Sequence, residues 1–456
     1  MKKVFVFLLL AITNNSMQAQ TNAAILSWLQ NNTVTARHYV AGNSTPINDA
    51  SLVNVQTVQY NTTDVYIRTT GLPSYVTGPF IDGNPSLATN QNAIFRFPLT
   101  PAPNTGTPVN TTGGNIGLFI NGVALFDYRD GVAWNTATNA LCGGPGNPPC
   151  PGGMGATQAW SRDAIVAERG GFDCAKAHPA MGNYHSHQNP SAFNLDLIVI
   201  SSICNLYNAD GLYVIDSTTH SPLIGFAYDG FPIYGAYGYQ SATGTGPIVR
   251  IKSSYQLRNI TTRITSPTGA SVTAGPVVST TYPLGYFRED YEYTAPSSSD
   301  YLDEHNGRVC VTPEYPNGIY CYFASVDANW NSAYPYVVGP TFYGNIVAAK
   351  VTNVPAGTTT YTPGTSSLVE HSNTELNVNV FPNPTSDLLV VQLLDLNRED
   401  TELALYDIHG KLIDKTIVYQ GATIGFFDTK TYYAGNYILK ISNTIGITTK
   451  KVVVTK

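Results

Sequence analysis

Short stretches of alternating apolar and polar residues, separated by turn-forming residues, recur throughout this chain. Residues 65–68 (VYIR) lie between Asn-Thr-Thr and Gly-Leu-Pro, and residues 117–131 contain two such stretches on either side of Asn121-Gly122. An alternation of period two is typical of β-strands, and Asn-Gly is a dipeptide that favours a tight hairpin turn. The sequence therefore predicts a mainly β fold built from short strands.

The residue composition agrees with that fold class and limits the partners. The 456 residues include 40 Gly, 29 Pro and 30 Tyr, while only 12% are charged. Aromatic residues favour strands, and Gly and Pro mark the turns between them. The net charge of −6 and the lack of a Lys/Arg cluster argue against nucleic acid and anionic lipid as partners. No Walker loop or GxGxxG before a helix is present, so no nucleotide cofactor is expected.

The N-terminus has the pattern of a secretory signal. Lys2 and Lys3 precede an apolar run over residues 4–12, and small or polar residues follow it. We therefore expect residues 1–19 to be a signal peptide that is removed on export, with a retained membrane anchor as the alternative. The run is shorter than the roughly 20 apolar residues that span a bilayer, so no transmembrane segment is expected in the mature protein. Residues 20–50 form an N-terminal segment whose role the sequence does not indicate.

The character of the sequence changes after residue 350. Residues 351–373 have no apolar period and are rich in Thr, Gly, Pro and Ser, which is typical of a linker with few contacts across it. Residues 51–350 then form a large β-rich central domain. Within residues 374–456 strict alternation returns and predicts a small antiparallel β-sandwich. The apolar residues of this alternation are Leu376, Val378, Val380, Leu403, Leu405, Tyr437, Leu439 and Ile441.

Three segments of the C-terminal part carry a family resemblance. They are VFPNPTSDLLVV (residues 380–391), LALYDIHGKLI (403–413) and AGNYILKIS (434–442). With Pro-Asn-Pro, Asp-x-x-Gly-Lys and Gly-x-Tyr in this order, residues 374–456 resemble the C-terminal sorting domain of the type IX secretion system of Bacteroidetes. The resemblance implies that the type IX machinery is a partner and that the protein is secreted or held at the cell surface. An Ig-like binding module is the alternative interpretation.

The six cysteines are expected to form disulfides, because an exported protein folds in an oxidising compartment. Cys142 and Cys150 bracket a loop rich in Gly and Pro, and Cys310 and Cys321 bracket a predicted hairpin. Cys174 would then pair with Cys204. Buried free cysteines are the alternative, and the chain has no CxxC metal motif.

Five of the eight histidines fall between residues 178 and 305. His185 and His187 are two residues apart, so in a strand both rings project from one face while Ser186 points away. Together with His178 they are candidate ligands of a transition metal. His305 is a further candidate and His220 a weaker one. Imidazoles without thiolates suit copper first and zinc second, whereas mutual hydrogen bonding in a polar interior is the alternative.

These histidines lie in segments that carry a second resemblance. The segments include GNYHSHQNP (residues 182–190), HSPLIGFAYDGFPIYGAYGY (220–239) and LDEHNGRVCVTPEYPNGIYCYF (302–323). GLPSYVTGPF and INGVALF upstream also match, so residues 50–350 resemble the YHYH-domain family, named after a Tyr-His-Tyr-His motif. Ser186 replaces the second Tyr of that motif, which leaves both neighbouring histidines in place. The resemblance implies a secreted or periplasmic domain and names no reaction.

Two carboxylates are candidates for a catalytic role. Asp229 precedes a glycine at a predicted tight turn and is a candidate hydrogen-bond partner of a metal-bound histidine. Glu304 lies beside His305 and is a candidate general base. In both cases an ordinary structural or solvated carboxylate is the alternative.

Three functions are therefore compatible with the sequence. The leading one is a secreted protein that binds copper or zinc through its histidine cluster. The alternatives are an extracellular metal-dependent hydrolase or oxidoreductase, and a non-catalytic surface or matrix protein. Convergence of the imidazoles of His178, His185 and His187 on one point would favour a metal site over dispersed structural histidines.

Overall fold

A computed structural model of the chain describes most residues from Asn22 to the C-terminus. The described ranges are 22–81, 87–144, 146–153, 158–192, 204, 206–207, 211–363, 376–394, 397, 399–407, 411–443 and 445–456. The expected signal peptide and the second half of the expected linker lie outside these ranges. Within them, no helix has the length and apolar character needed to cross a membrane.

Strands dominate the fold, as the alternating pattern predicts. The helical segments are α1 Ala23–Leu26, α2 Ala164–Glu168 and the 3-10 turn Arg288–Asp290. The strands in chain order are β1 Thr35–Val40, β2 Asn43–Leu52, β3 Val55–Tyr60, β4 Asp64–Thr69, β5 Ala93–Pro98, β6 Val109–Asn110, β7 Asn115–Phe119, β8 Ala124–Phe126, β9 Arg129–Asn135, β10 Ala140–Cys142, β11 Ser161–Asp163, β12 Ala177–Ala180, β13 Asn183–Ser186, β14 Leu223–Ala227, β15 Pro232–Tyr234, β16 Tyr237–Tyr239, β17 Ile248–Arg250, β18 Tyr255–Leu257, β19 Tyr291–Tyr293, β20 Gly307–Cys310, β21 Ile319–Phe323, β22 Thr341–Phe342, β23 Ala349–Val351, β24 Thr359–Tyr361, β25 Val378–Phe381, β26 Leu388–Leu393, β27 Thr401–Asp407, β28 Leu412–Val418, β29 Ile424–Asp428, β30 Gly435–Ser442 and β31 Ile447–Val454.

The largest sheet has eight strands in the order β12-β13-β8-β7-β14-β15-β21-β20. The predicted hairpin at Asn121-Gly122 is present, because β7 and β8 pair antiparallel across it. Gly122 has a φ of +79°, and a Cβ there would lie 2.0 Å from the Thr69 hydroxyl, so the turn requires glycine. The pairs β13–β8 and β15–β21 are parallel, and the other neighbours are antiparallel.

A five-stranded antiparallel sheet, β23-β5-β4-β3-β24, packs against the eight-stranded sheet. One buried cluster contains Val58, Ile67 and Phe95 from the five-stranded sheet and Leu118 and Phe226 from the eight-stranded sheet. Apolar side chains from alternate positions of both sheets therefore form the core between them, as expected for packed sheets. β24 lies inside the stretch expected to be a linker, so part of that stretch belongs to this sheet.

The N-terminal segment, whose role the sequence does not indicate, belongs to the same core. Ile25 and Trp28 are buried in the cluster between the two sheets. The Trp28 ring lies 5.7 Å from the ring of Phe97 and 5.4 Å from that of Phe226. The first residues after the expected signal peptide therefore help to close the central domain.

The C-terminal part forms the predicted sandwich of two antiparallel sheets, β25-β26-β29 and β28-β27-β30-β31, with its own apolar core between them. The outer face of the three-stranded sheet is also apolar. Val390 and Ile424 on that face belong to a buried cluster of the central domain, and the Arg37 guanidinium lies 4.2 Å from the Tyr419 ring centre. The expectation of few contacts between the two parts is therefore wrong, because β26 is apolar on both faces and needs cover on both.

Two of the three expected disulfides are present, Cys142–Cys150 and Cys174–Cys204. Cys310 and Cys321 are instead two buried thiols. The β20–β21 register places Cys310 opposite Ile319 and Cys321 opposite Arg308, so the two cysteines are diagonal neighbours. Diagonal neighbours in a sheet are about 7–8 Å apart, beyond the usual Cα separation of a disulfide, and this explains the difference.

Candidate metal centre

A two-strand hairpin positions the first two histidines of the site. β12 and β13 pair antiparallel, and His178 lies directly opposite His185. Met181 and Gly182 connect the strands with φ angles of 49° and 82°, which matches the left-handed turn typical of tight hairpins. The turn therefore sets the register that brings the two imidazoles together across the strands.

The third histidine follows from the alternation along the same strand. His187 comes directly after β13 and lies on the same side as His185, whereas the Ser186 hydroxyl donates hydrogen bonds to the carbonyls of Lys176 and Gln188. The predicted arrangement around Ser186 is present in the structure. All three histidines are buried, with at most 6% of each residue exposed.

The three imidazoles converge. Nε2 of His185 lies 3.1 Å from Nε2 of His187, and the ring centre of His178 lies 4.7 Å from that of His185. One nitrogen from each ring lies within 4.8 Å of the other two. Among the residues that the structure describes, this is the only group of three or more His, Cys, Asp or Glu side chains that are close enough together to hold a metal ion.

Backbone carbonyls hold two of the rings by their other nitrogen. Nδ1 of His185 lies 2.8 Å from the carbonyl oxygen of Asn183, and Nδ1 of His187 lies 2.6 Å from that of Asp127. A carbonyl oxygen only accepts, so each Nδ1 carries a hydrogen and donates it. In the neutral rings both Nε2 atoms then present lone pairs toward the common centre, which is the usual state of metal-binding histidines.

Glu168 joins the group, although it was not among the candidate residues of the sequence. Its Oε2 atom lies 3.2 Å from Nε2 of His178 and 3.5 Å from Nε2 of His187, without good hydrogen-bond geometry. Burial raises the pKa of Glu168, whereas the two imidazoles lower it when they are protonated. Glu168 ends helix α2, which begins at the capping side chain of Asp163. No motif spacing links Glu168 to the histidines, so only the fold reveals it.

Aromatic rings form the walls of the site. Phe126 stacks on His185 with 3.7 Å between ring centres, and Phe172 lies edge-on to His178 at 4.9 Å. These rings fix the orientation of the imidazoles and lower the local polarity. Charge interactions inside the site are stronger for that reason.

A family model described as YHYH protein matches residues 94–335, which is more than half of the chain and contains every member of the group. The chain belongs to the YHYH protein family. A second model, described as the secretion system C-terminal sorting domain, matches residues 379–455. The type IX sorting domain indicates that this YHYH protein is exported to the cell surface or beyond it. No curated protein matches the chain.

The other candidate ligands of the YHYH domain lie outside the group. Nδ1 of His305 bonds the Thr341 hydroxyl at 2.6 Å, and its Nε2 lies 3.9 Å from Glu304. Nδ1 of His220 bonds the carbonyl of Ser221 at 2.7 Å. Both imidazoles have local partners on other loops, and the fold does not bring them to the three histidines.

The candidate catalytic carboxylates also lie outside it. Asp229 is fully buried and accepts hydrogen bonds from the Tyr322 hydroxyl at 2.6 Å and from the Gly344 amide at 2.8 Å. It joins two loops of the domain rather than orienting a histidine. The Glu304 side chain is 56% exposed, as expected for a solvated carboxylate.

Proposed function

We propose that the YHYH domain binds one transition-metal ion, copper before zinc, in the group of His178, His185, His187 and Glu168. The observation that carries this proposal is the 3.1 Å separation of the Nε2 atoms of His185 and His187. Two ligands that each lie about 2 Å from one ion are roughly 3–3.4 Å apart, so this separation suits coordination.

The electrostatics of the group support a cation at its centre. Two neutral imidazoles cannot hydrogen-bond through Nε2 when both carry their hydrogen on Nδ1, so their lone pairs repel at 3.1 Å. A proton could bridge them, but burial and the neighbouring imidazoles hold the pKa of His185 well below its usual value. The carboxylate of Glu168 adds negative charge from a third side. A bound metal ion would accept the lone pairs of both Nε2 atoms and balance the negative charge of the Glu168 carboxylate.

The donor set favours copper first. Three imidazole nitrogens and one carboxylate oxygen, without a thiolate, suit Cu(II) or Zn(II), and copper binds most tightly to such ligands among the divalent first-row metals. Zinc remains the second choice because four N and O ligands can enclose it tetrahedrally.

The number of protein ligands bears on whether the site turns over a substrate. Four protein ligands leave no open position on a tetrahedral ion, which is typical of a structural or storage site. An extracellular metal-dependent hydrolase or oxidoreductase is the alternative. In that case Glu168, whose side chain is 24% exposed, acts as general base beside an ion held by three histidines.

Metal content tests the proposal. The full chain is incubated with copper or zinc, dialysed and analysed by mass spectrometry for metal per chain. We expect about one ion in the wild type and a small fraction of that in His178→Ala, His185→Ala and His187→Ala. Two matched controls should retain the ion: His220→Ala, outside the group, and Ser186→Ala, between two proposed ligands. Nitrogen hyperfine structure in the copper electron paramagnetic resonance spectrum should be lost with the ion.

The same measurement distinguishes metal-binding histidines from purely structural ones. Equal metal content in the wild type and all three histidine variants, or no stoichiometric metal in the wild type, would refute the proposal. Glu168→Gln separates the two roles of the carboxylate. A ligand role predicts weaker metal binding, whereas a general-base role predicts normal binding.

A further inference from the structure

Cys310 and Cys321 occupy the opposite edge of the eight-stranded sheet from the histidine hairpin. Cys310 ends the edge strand β20, and Cys321 lies in the middle of β21. The two cysteines are diagonal neighbours in the β20–β21 register, and both are buried, with 2% and 0% of the residue exposed. The proposed metal centre does not use them, and neither disulfide of the structure involves them.

We propose that Cys310 and Cys321 are a reversible redox site, which closes to a disulfide after export and latches the edge strand β20 to β21. The oxidant is a disulfide compound of the exported compartment, either a small molecule or a protein. Two S–H bonds and the S–S bond of the oxidant break, and one new S–S bond forms in the protein. The oxidant takes up two electrons and two protons and leaves as two thiols.

The register of the two strands sets how easily this bond is reduced again. The cysteines are diagonal neighbours, so closing the bond requires the end of β20 to shift toward β21. A disulfide that holds its backbone away from the relaxed position is more easily reduced than an unstrained one. The Cys310–Cys321 bond should therefore be reduced under milder conditions than the disulfides Cys142–Cys150 and Cys174–Cys204.

The two thiols differ in acidity because their surroundings differ. The hydrogen bond with Cys321 and the charge of Arg308 hold the pKa of Cys310 below its ordinary value, whereas burial raises the pKa of Cys321 well above it. Cys310 also ends the edge strand, whereas Cys321 lies on a strand with neighbours on both sides. Because thiolates attack disulfides, Cys310 is the attacking sulfur and Cys321 resolves the mixed disulfide.

The position of Cys310 on an edge strand gives the oxidant access. Among the described strands, β20 has a neighbour on one side only, and its residue Val309 is 59% exposed. Local opening of such an edge costs less than global unfolding, so Cys310 becomes transiently accessible. The disulfide then holds β20 against β21. Tyr320 and Tyr322 on β21 donate hydrogen bonds to Asp303 and Asp229.

Redox titration of the full chain tests the proposal. The protein is equilibrated with reduced and oxidised glutathione at a series of ratios, the free thiols are alkylated, and each cysteine peptide is quantified by mass spectrometry. We expect the Cys310–Cys321 bond to form in oxidised glutathione and to be reduced at a less reducing ratio than the two loop disulfides. A pair that stays reduced in oxidised glutathione, or that is reduced together with or after the loop disulfides, overturns the proposal.

Single serine variants test the assigned roles. Cys321→Ser leaves the attacking sulfur without its resolving partner and should accumulate a mixed disulfide between Cys310 and glutathione. Cys310→Ser should accumulate several-fold less of the corresponding adduct at Cys321. Equal adduct levels would refute the assignment of roles, and if a variant does not fold, the wild-type titration still decides the existence of the site.

Discussion

Asp229 illustrates how strongly burial can change the ionisation of one residue. Burial raises its pKa to about 6, although the Tyr322 hydroxyl and two backbone amides donate hydrogen bonds to its carboxylate. In the unfolded chain an aspartate titrates near pH 4. Between these pH values the folded protein binds more protons than the unfolded chain does. The stabilisation from Asp229 is therefore complete below about pH 4 and is lost as the pH rises through about 6.

Asp229→Asn should remove this pH dependence, because the amide stays neutral. From pH 4 to pH 7 we expect the free energy of unfolding of the wild type to fall by roughly 3 kcal/mol relative to that of the variant. Urea unfolding at each pH measures the difference. The exposed Asp400 provides the control, since Asp400→Asn should follow the wild type. Parallel pH profiles of the wild type and Asp229→Asn would contradict the raised pKa.

At the level of elements, the β12–β13 hairpin decides whether the proposed metal ligands meet. Its turn places Gly182 at a φ of +82°, and a Cβ there would lie 2.2 Å from the Thr89 hydroxyl. A side chain at this position therefore meets both backbone strain and a steric clash. Relief of the clash requires the Thr89 side chain or the turn to move, and a shift of the turn moves His178 relative to His185.

Gly182→Ala should lower the free energy of unfolding by about 2 kcal/mol or more and weaken metal binding. Gly42→Ala is the matched control, because Gly42 also has a positive φ in a hairpin turn but a Cβ there meets no atom within 4 Å. The control should lose about 1 kcal/mol and retain its metal. Thermal melting and metal content measure both effects, and equal losses in the two variants would show that the clash at Thr89 has no role.

At the level of the whole molecule, the sorting domain is packed against the YHYH domain rather than tethered to it. Val390 and Ile424 are buried in a cluster of the central domain, and Phe381, Leu388 and Phe426 pack against the same cluster. Each fully buried side chain of this kind contributes roughly 1.5–3 kcal/mol. Removal of the sorting domain therefore uncovers an apolar face.

A chain that ends at residue 363 should stay folded but be retained by the cell. Compared with the full chain, it should melt several degrees lower and bind more of a fluorescent hydrophobic dye. In the full chain, Val390→Ser should lower the melting temperature more than Ile438→Ser, because Ile438 is 45% exposed on the other sheet. Identical melting and dye binding with and without the sorting domain would contradict the packed interface.

The sequence by itself determined the features that depend on neighbours along the chain. Alternation of period two and Asn121-Gly122 predicted the mainly β fold and the hairpin between β7 and β8, because strands and tight turns are set by local backbone preferences. The same alternation placed His185 and His187 on one face. The segments around Pro-Asn-Pro and Gly-x-Tyr identified the sorting domain, since a family motif is itself a pattern along the chain.

Only the tertiary structure decided which distant residues meet. Glu168 approaches the histidines through helix α2, whereas His305 and Asp229 find partners elsewhere, and no spacing along the chain distinguishes these outcomes. The register of β20 and β21 left Cys310 and Cys321 as diagonal neighbours. The common reason is that long-range contacts follow from how whole sheets pack to bury apolar surface, and local patterns do not specify that packing.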